Sequence, residues 1–132
     1  MIRGVVFDLD HTLFDRYGTL QKVLPGFYTL FRDNIPTDLS VESFVAQFIP
    51  LEKKYVLLGW DKLLQACAEA GLLRSYTDHF RKETIDFIFH YFGEVAVPYS
   101  FTAPTLISLR NSGLKVGIIT NGKGCKGMLA AV

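Results

Sequence analysis

The sequence predicts an α/β fold: part of a doubly wound, Rossmann-like parallel sheet carrying an inserted α-helical cap. Three observations lead there. Val5-Val6-Phe7 near the start and Val116-Gly117-Ile118-Ile119 near the end are short apolar runs that stop at polar residues. Such runs suit strands covered on both faces. Between them lies a long stretch with apolar residues at helical spacing, and an order of strand, helices, strand favours a parallel pair joined by a crossover. The 132 residues leave room for one domain, or for one domain with a small insertion.

Composition narrows the functions. Apolar residues make up 49% and charged residues 20%, with a formal net charge of +1. That mixture builds an ordinary globular core, and the near-neutral balance gives no electrostatic footprint for nucleic acid or an anionic membrane. Cys67 and Cys125 form neither a disulfide framework nor a zinc spacing. Reduced thiols and a cytoplasmic location are the expectation. No secretory leader pattern opens the sequence, and no charge-free apolar run is long enough to span a bilayer.

The elements follow in order. The first strand ends at Asp8 and Asp10. Tyr17 to Phe31 reads as a helix that Pro25-Gly26 should kink or split. Ser40 is expected to cap a helix with Val41, Phe44, Val45 and Phe48 on one face, limited by Pro50. Asp61 is expected to cap the next, with Leu63, Leu64, Cys67 and Ala70 inward and Gly71 at its end. Asp78 is expected to cap a third, with Phe80, Thr84, Phe87, Ile88 and Tyr91 on one side. Thr102 can cap a last helix, Pro104 fits its first turn, and Gly113 fits its stop, with Leu114 packing back toward Leu109. Phe27, Tyr28, Phe31, Phe44, Phe48, Tyr55 and Trp60 read as packing residues. The expected division is a partial core of residues 1–14 and 99–132 and a helical cap of residues 15–98.

Chemistry concentrates in Val5-Val6-Phe7-Asp8-Leu9-Asp10-His11-Thr12-Leu13. Open α/β sheets bind ligands beyond the carboxyl ends of their strands. Two acids at spacing two on a strand tip would point the same way and could divide labour. One carboxylate can attack phosphorus as a nucleophile, and the other can protonate a leaving oxygen and then activate water. An anion attacking an anion calls for a divalent cation with oxygen ligands, for which Mg²⁺ is suited. Thr12 adds a hydroxyl just beyond the acids. His11 reads as a turn residue, and His79 and His90 as polar helix residues. Gly117 to Gly124 approaches a P-loop spacing but has glycine where a metal-binding hydroxyl should stand, and its interior is a strand.

The segment Val6-Phe7-Asp8-Leu9-Asp10-His11-Thr12-Leu13 resembles the first motif of the haloacid dehalogenase-like hydrolase superfamily. Val116-Gly117-Ile118-Ile119-Thr120-Asn121-Gly122 is similar to its second motif, a strand ending in Thr or Ser. The helical stretch between them lies where members insert a cap. The resemblance implies an aspartyl-phosphate nucleophile at Asp8 and a general acid/base at Asp10. It implies Mg²⁺ held by Asp8 and Asp10, and phosphoryl contacts from Thr120 and Asn121, with Thr12 beside them. Aspartate at the second acid position favours the phosphatases of this family over its dehalogenases. The expected substrate is a small phosphorylated metabolite.

The sequence departs from the family pattern after the second motif. Members continue well beyond it, through a third-motif lysine and fourth-motif acids that complete the metal site. Here Lys123 and Lys126 do not match the third motif, and no acid follows Glu94. Residues Gly122 to Gly127 carry three glycines and no helical pattern. The expectation is therefore a chain truncated after its second motif, with impaired catalysis. The alternative is a non-catalytic relative or fragment acting only by binding or self-association, pairing its exposed strand edges with another copy.

Overall fold

The computed structural model describes residues 1–120. It is a mixed α/β structure, mostly helical, with a small parallel sheet. Strand β1 spans Gly4–Phe7 and strand β2 spans Lys115–Ile118. They pair in parallel with Gly4 opposite Lys115 and Phe7 opposite Ile118. The five helices are α1 (Arg16–Leu30), α2 (Val41–Tyr55), α3 (Trp60–Glu69), α4 (Asp78–Glu94) and α5 (Thr102–Asn111). The strand, helices, strand order and the parallel crossover are therefore as the sequence implies. Among the described residues no helix is long and apolar enough to cross a membrane.

Apolar stripes assemble the helices. Thr19, Leu20, Val23, Leu24 and Phe27 bury one face of α1, while Phe44 and Phe48 bury that of α2. Phe27 is the hub: its ring lies 4.8 Å from Phe31, 5.9 Å from Phe44, 6.2 Å from Phe48 and 6.2 Å from Phe87. Offset and edge-on pairs at these separations add to the burial of the rings themselves. A Cβ at Gly26 would lie 3.4 Å from the Tyr91 ring of α4, within ordinary contact. The aromatic residues expected to pack do so.

Several expected boundaries move, each for a local reason. Ser40 caps α2 by accepting from Ser43 N, but the helix runs through Pro50 to Tyr55. Pro50 is exposed, so its missing N–H falls on the solvent side, while Phe48 and Glu52 hold the inner face. Pro25 likewise sits on the outer side of an unbroken α1. Asp61 is not a cap: Gly59, at φ +92°, turns the chain so that α3 begins at Trp60. The Asp61 carboxylate instead accepts from the Tyr76 hydroxyl, and that bond adds to desolvation in raising the phenol's pKa. Thr77, not Asp78, caps α4, which leaves Asp78 in the positive first turn. Ala70 is exposed, and Ala66 takes the inward place.

The last helix differs most from its expected cap. Phe101 is the cap residue of α5 and gives no side-chain bond. Thr102 is buried, and its hydroxyl donates to the Leu13 carbonyl at 2.6 Å. That same carbonyl accepts from Tyr99 N at 3.2 Å, and Asp15 N donates to Val97 O at 2.8 Å. The two chain passages leading into and out of the helical stretch are thus stitched side by side. Gly113, at φ +77°, ends α5 as expected, and Leu114 N returns to Leu109 O.

Two outcomes follow. Phe27→Ala should cost about 3–5 kcal/mol, as for other fully buried aromatic residues, read as a lower midpoint in urea unfolding. Burial pushes the Cys67 thiol up to about 12 from 9.0. The unfolded chain therefore loses this proton first as pH rises. Stability contributed by the buried thiol is present below pH 9 and falls between there and about 12. Cys67→Ala should flatten that part of the stability profile in urea titrations run at stepped pH.

Candidate active site

The site is built by the turn that follows β1. Phe7, Leu9, Leu13 and Phe14 turn toward the core, and Asp8, His11 and Thr12 are left exposed between them. The Leu9 carbonyl accepts from the N–H groups of Thr12, Leu13 and Phe14 at 3.3, 2.9 and 3.3 Å. His11 closes the turn in the left-handed region, at φ +61°, which histidine tolerates better than most residues, and its N–H donates to Phe14 O. Its ring lies 4.9 Å from that of Tyr17. His11 is the turn residue its sequence position suggests.

This tight turn changes how the two acids relate. The strand ends at Phe7, so the strict alternation expected to align them does not extend to Asp10. Asp8 is exposed and accepts from the Thr12 hydroxyl at 3.3 Å. Asp10 is half-buried and accepts on Oδ2 from Arg16 Nη1 at 3.4 Å. Its Oδ1 is buried with no partner among the described residues. Each acid therefore has a different partner.

Beyond the turn, Ile119 N donates to Phe7 O at 2.9 Å, continuing the parallel register past β2. Thr120 follows immediately at the same end of the sheet as Asp8 and is half-buried, with a partner of its own. The strand register thus brings Thr120 to the edge that carries Asp8, Asp10 and Thr12. Asn121, with Lys123, Cys125 and Lys126, lies outside the described residues.

Arg16 and Glu52 belong to this region, although motif reading does not find them. Arg16 opens α1 and sends Nε to Glu52 Oε1 of α2 at 2.7 Å. The Glu52 side chain is fully buried, and its Oε2 has no partner among the described residues. The guanidinium lies 5.3 Å from the Phe92 ring and 5.8 Å from that of Trp60. Desolvation, then the Glu52 charge, raises the Tyr17 phenol, while Arg16 works the other way. A signal was present in the sequence: both residues sit at core-facing helical positions, Arg16 with Thr19, Leu20 and Val23, Glu52 with Phe44 and Phe48. A charge in such a stripe has to meet a buried partner.

No group of three or more His, Cys, Asp or Glu side chains that could hold a metal ion occurs among the described residues. The donors that are present, carboxylates and carbonyls, suit Mg²⁺. That ion takes one or two carboxylates and keeps waters or substrate oxygens for its other positions. The unpartnered Oδ1 of Asp10 is a further hard oxygen in the same turn.

Comparison with known proteins gives relatives for this arrangement. No family model matches the chain. An (S)-2-haloacid dehalogenase of Pseudomonas putida is 30% identical over an alignment of 131 residues that covers 94% of this chain and 53% of that protein. One from Pseudomonas fluorescens is 30% identical over 132 residues, with the same two coverages. The chain spans about half the length of the curated relatives it matches. A crystal structure of a dehalogenase shares the fold at a TM-score of 0.52 and 21% identity, covering 98% of this chain and 55% of that one. The chain is thus similar along nearly all of its length to two haloacid dehalogenases, and it shares its α/β architecture with a dehalogenase structure.

Proposed function

We propose that this chain carries the nucleophile and the acid/base of a hydrolase that cleaves small phosphate monoesters through an aspartyl phosphate on Asp8. The observation that supports this reading is the second acid, Asp10, two residues past the nucleophile in the turn that follows β1. A departing alkoxide needs a proton; a departing halide does not. An acid held in that place has a task in ester cleavage that halide release would not give it.

The steps balance as follows. An Asp8 carboxylate oxygen forms a bond to phosphorus while the bond from phosphorus to the ester oxygen breaks. The alcohol leaves with the proton of Asp10. Water then gives a proton to Asp10 and adds to phosphorus, the bond to Asp8 breaks, and inorganic phosphate departs. The Thr12 hydroxyl, bonded to Asp8, orients the attacking carboxylate. Thr120 and Asn121 are assigned to the phosphoryl oxygens. The Asp8 carboxylate and the Asp10 carbonyl would hold Mg²⁺, which when bound offsets the charge of the attacking carboxylate and the phosphate. The helices between the strands act in this reading as a cap that excludes water and selects the ester.

A second reading is favoured by the named relatives: hydrolytic removal of halide from a 2-haloacid. Here Asp8 would bond to C2 as the carbon–halogen bond breaks, the halide would keep the electron pair, and water would cleave the resulting ester.

Two assays separate the readings: phosphate release from phenyl phosphate with Mg²⁺, and chloride release from 2-chloropropanoate. Asp8→Asn should lower whichever activity is found on the order of 10⁴-fold or more, since either chemistry needs the nucleophile. Asp10→Asn should lower phosphate-ester turnover by about 10²–10⁴-fold. Chloride release without phosphate release, insensitive to Asp10→Asn, would replace the first reading with the second. Unchanged rates in Asp8→Asn would remove both.

A further inference from the structure

We propose that Arg16 and Glu52 are positioning residues for Asp10: Glu52 on α2 fixes the guanidinium that aims the acid/base. This rests on the phosphate-ester reading, because it concerns the group that protonates the leaving oxygen. Three features support it.

The first is connectivity. Arg16 spends its fork in two directions, Nε to Glu52 Oε1 at 2.7 Å and Nη1 to Asp10 Oδ2 at 3.4 Å. One planar group therefore links the turn after β1 to a helix 36 positions further along the chain. A lysine at this place could not reproduce that fixed two-way geometry.

The second is burial. The Arg16 side chain is 11% exposed and that of Glu52 is 0% exposed. The other ion pairs among the described residues, His79–Glu83, His90–Glu94 and Arg81 with Asp61 and Asp78, are all well exposed, as surface pairs of small consequence are. The guanidinium carbon also lies over the Phe92 and Trp60 rings, so aromatic contacts add to its two polar ones.

The third is a debt that stability does not explain. Two carboxylates share one guanidinium, and both Asp10 Oδ1 and Glu52 Oε2 are buried without partners among the described residues. Apolar residues of similar volume often serve a core at least as well as a buried ion pair. The costlier arrangement is accounted for by what it orients, which is Asp10.

The test compares two substrates on the whole protein: phenyl phosphate, whose leaving group needs a proton, and 2,4-dinitrophenyl phosphate, whose leaving group does not. kcat/KM is read because it covers the steps up to the first phosphoryl transfer. The double variant Arg16→Met/Glu52→Met removes the buried pair together and leaves Asp10 as the remaining charge of the three. Its kcat/KM on phenyl phosphate should fall about 10²-fold, the scale of a misplaced catalytic group, with the loss in kcat and not in KM. On the dinitrophenyl ester it should change little. Arg16→Lys should give a smaller loss confined to the phenyl ester.

Glu52→Gln keeps the shape and an acceptor for Nε, so it carries the test should the double variant not fold. It should shift the ratio of the two rates in the same direction. Equal losses on both esters, or an unchanged ratio in every folded variant, would overturn the positioning role. If Asp8→Asn abolishes turnover while those ratios stay fixed, this inference alone falls. If the wild type cleaves neither ester, the phosphate-ester reading falls and takes this one with it.

Discussion

A guanidinium almost shut off from water has to be answered by anions, and that requirement ties the sheet end of this molecule to its helices. Arg16 stands at the first residue of α1, directly after the turn that presents Asp8 and Thr12. Its two anionic partners come from opposite sides, Asp10 from the turn and Glu52 from α2. Redrawing the turn would take Asp10 from its cation, and sliding α2 would strand the buried glutamate. Stranding a buried charge costs far more than a surface pair ever returns. The remainder of the helical packing, centred on Phe27, is ordinary hydrophobic burial and could be met by many sequences. The polar link differs in kind, because it joins the turn, α1 and α2 through one guanidinium.

The path from sequence to site runs through the Leu9 carbonyl. Three successive N–H groups fold back onto it, so the chain reverses within a few residues of the strand. Buried Leu9 and Leu13 clamp this reversal from below. The polar residues between them have no choice but to face outward or to find a partner. Asp8 does the first and Asp10 the second. In energetic terms the apolar anchors place the acids, and the acids' own surroundings then set them apart.

Local signals were legible where a single mechanism governs. Ser40 has the side chain to cap α2 and does so; Gly113 alone among its neighbours can take a positive φ without strain. They failed where two mechanisms compete. Asp61 and Asp78 can cap, but Gly59 and Thr77 stand just before them and act first. Pro50 ends helices when its N–H would be needed, and here it falls on the solvent side. Thr102 satisfies a carbonyl across the molecule instead of its own helix, which no local window can show. The motif acids were visible by type and spacing. Arg16 and Glu52 were not, because their partnership depends on two helices meeting; only their odd placement in apolar stripes marked them. The comparisons agree with the motif reading on the fold and find haloacid dehalogenases similar to the chain, and the reaction type is the part that spacing alone does not select.

The Leu13 carbonyl receives both Tyr99 N and the Thr102 hydroxyl, and Asp15 meets Val97 beside it. The helices between those positions therefore leave and rejoin the sheet at what is nearly a single point. Material spliced in at such a pinch can be lengthened, shortened or traded for another module without stretching the strands that flank it. Selection could thus remodel the helical stretch, the Arg16–Glu52 link apart, while the acids themselves stayed where they are.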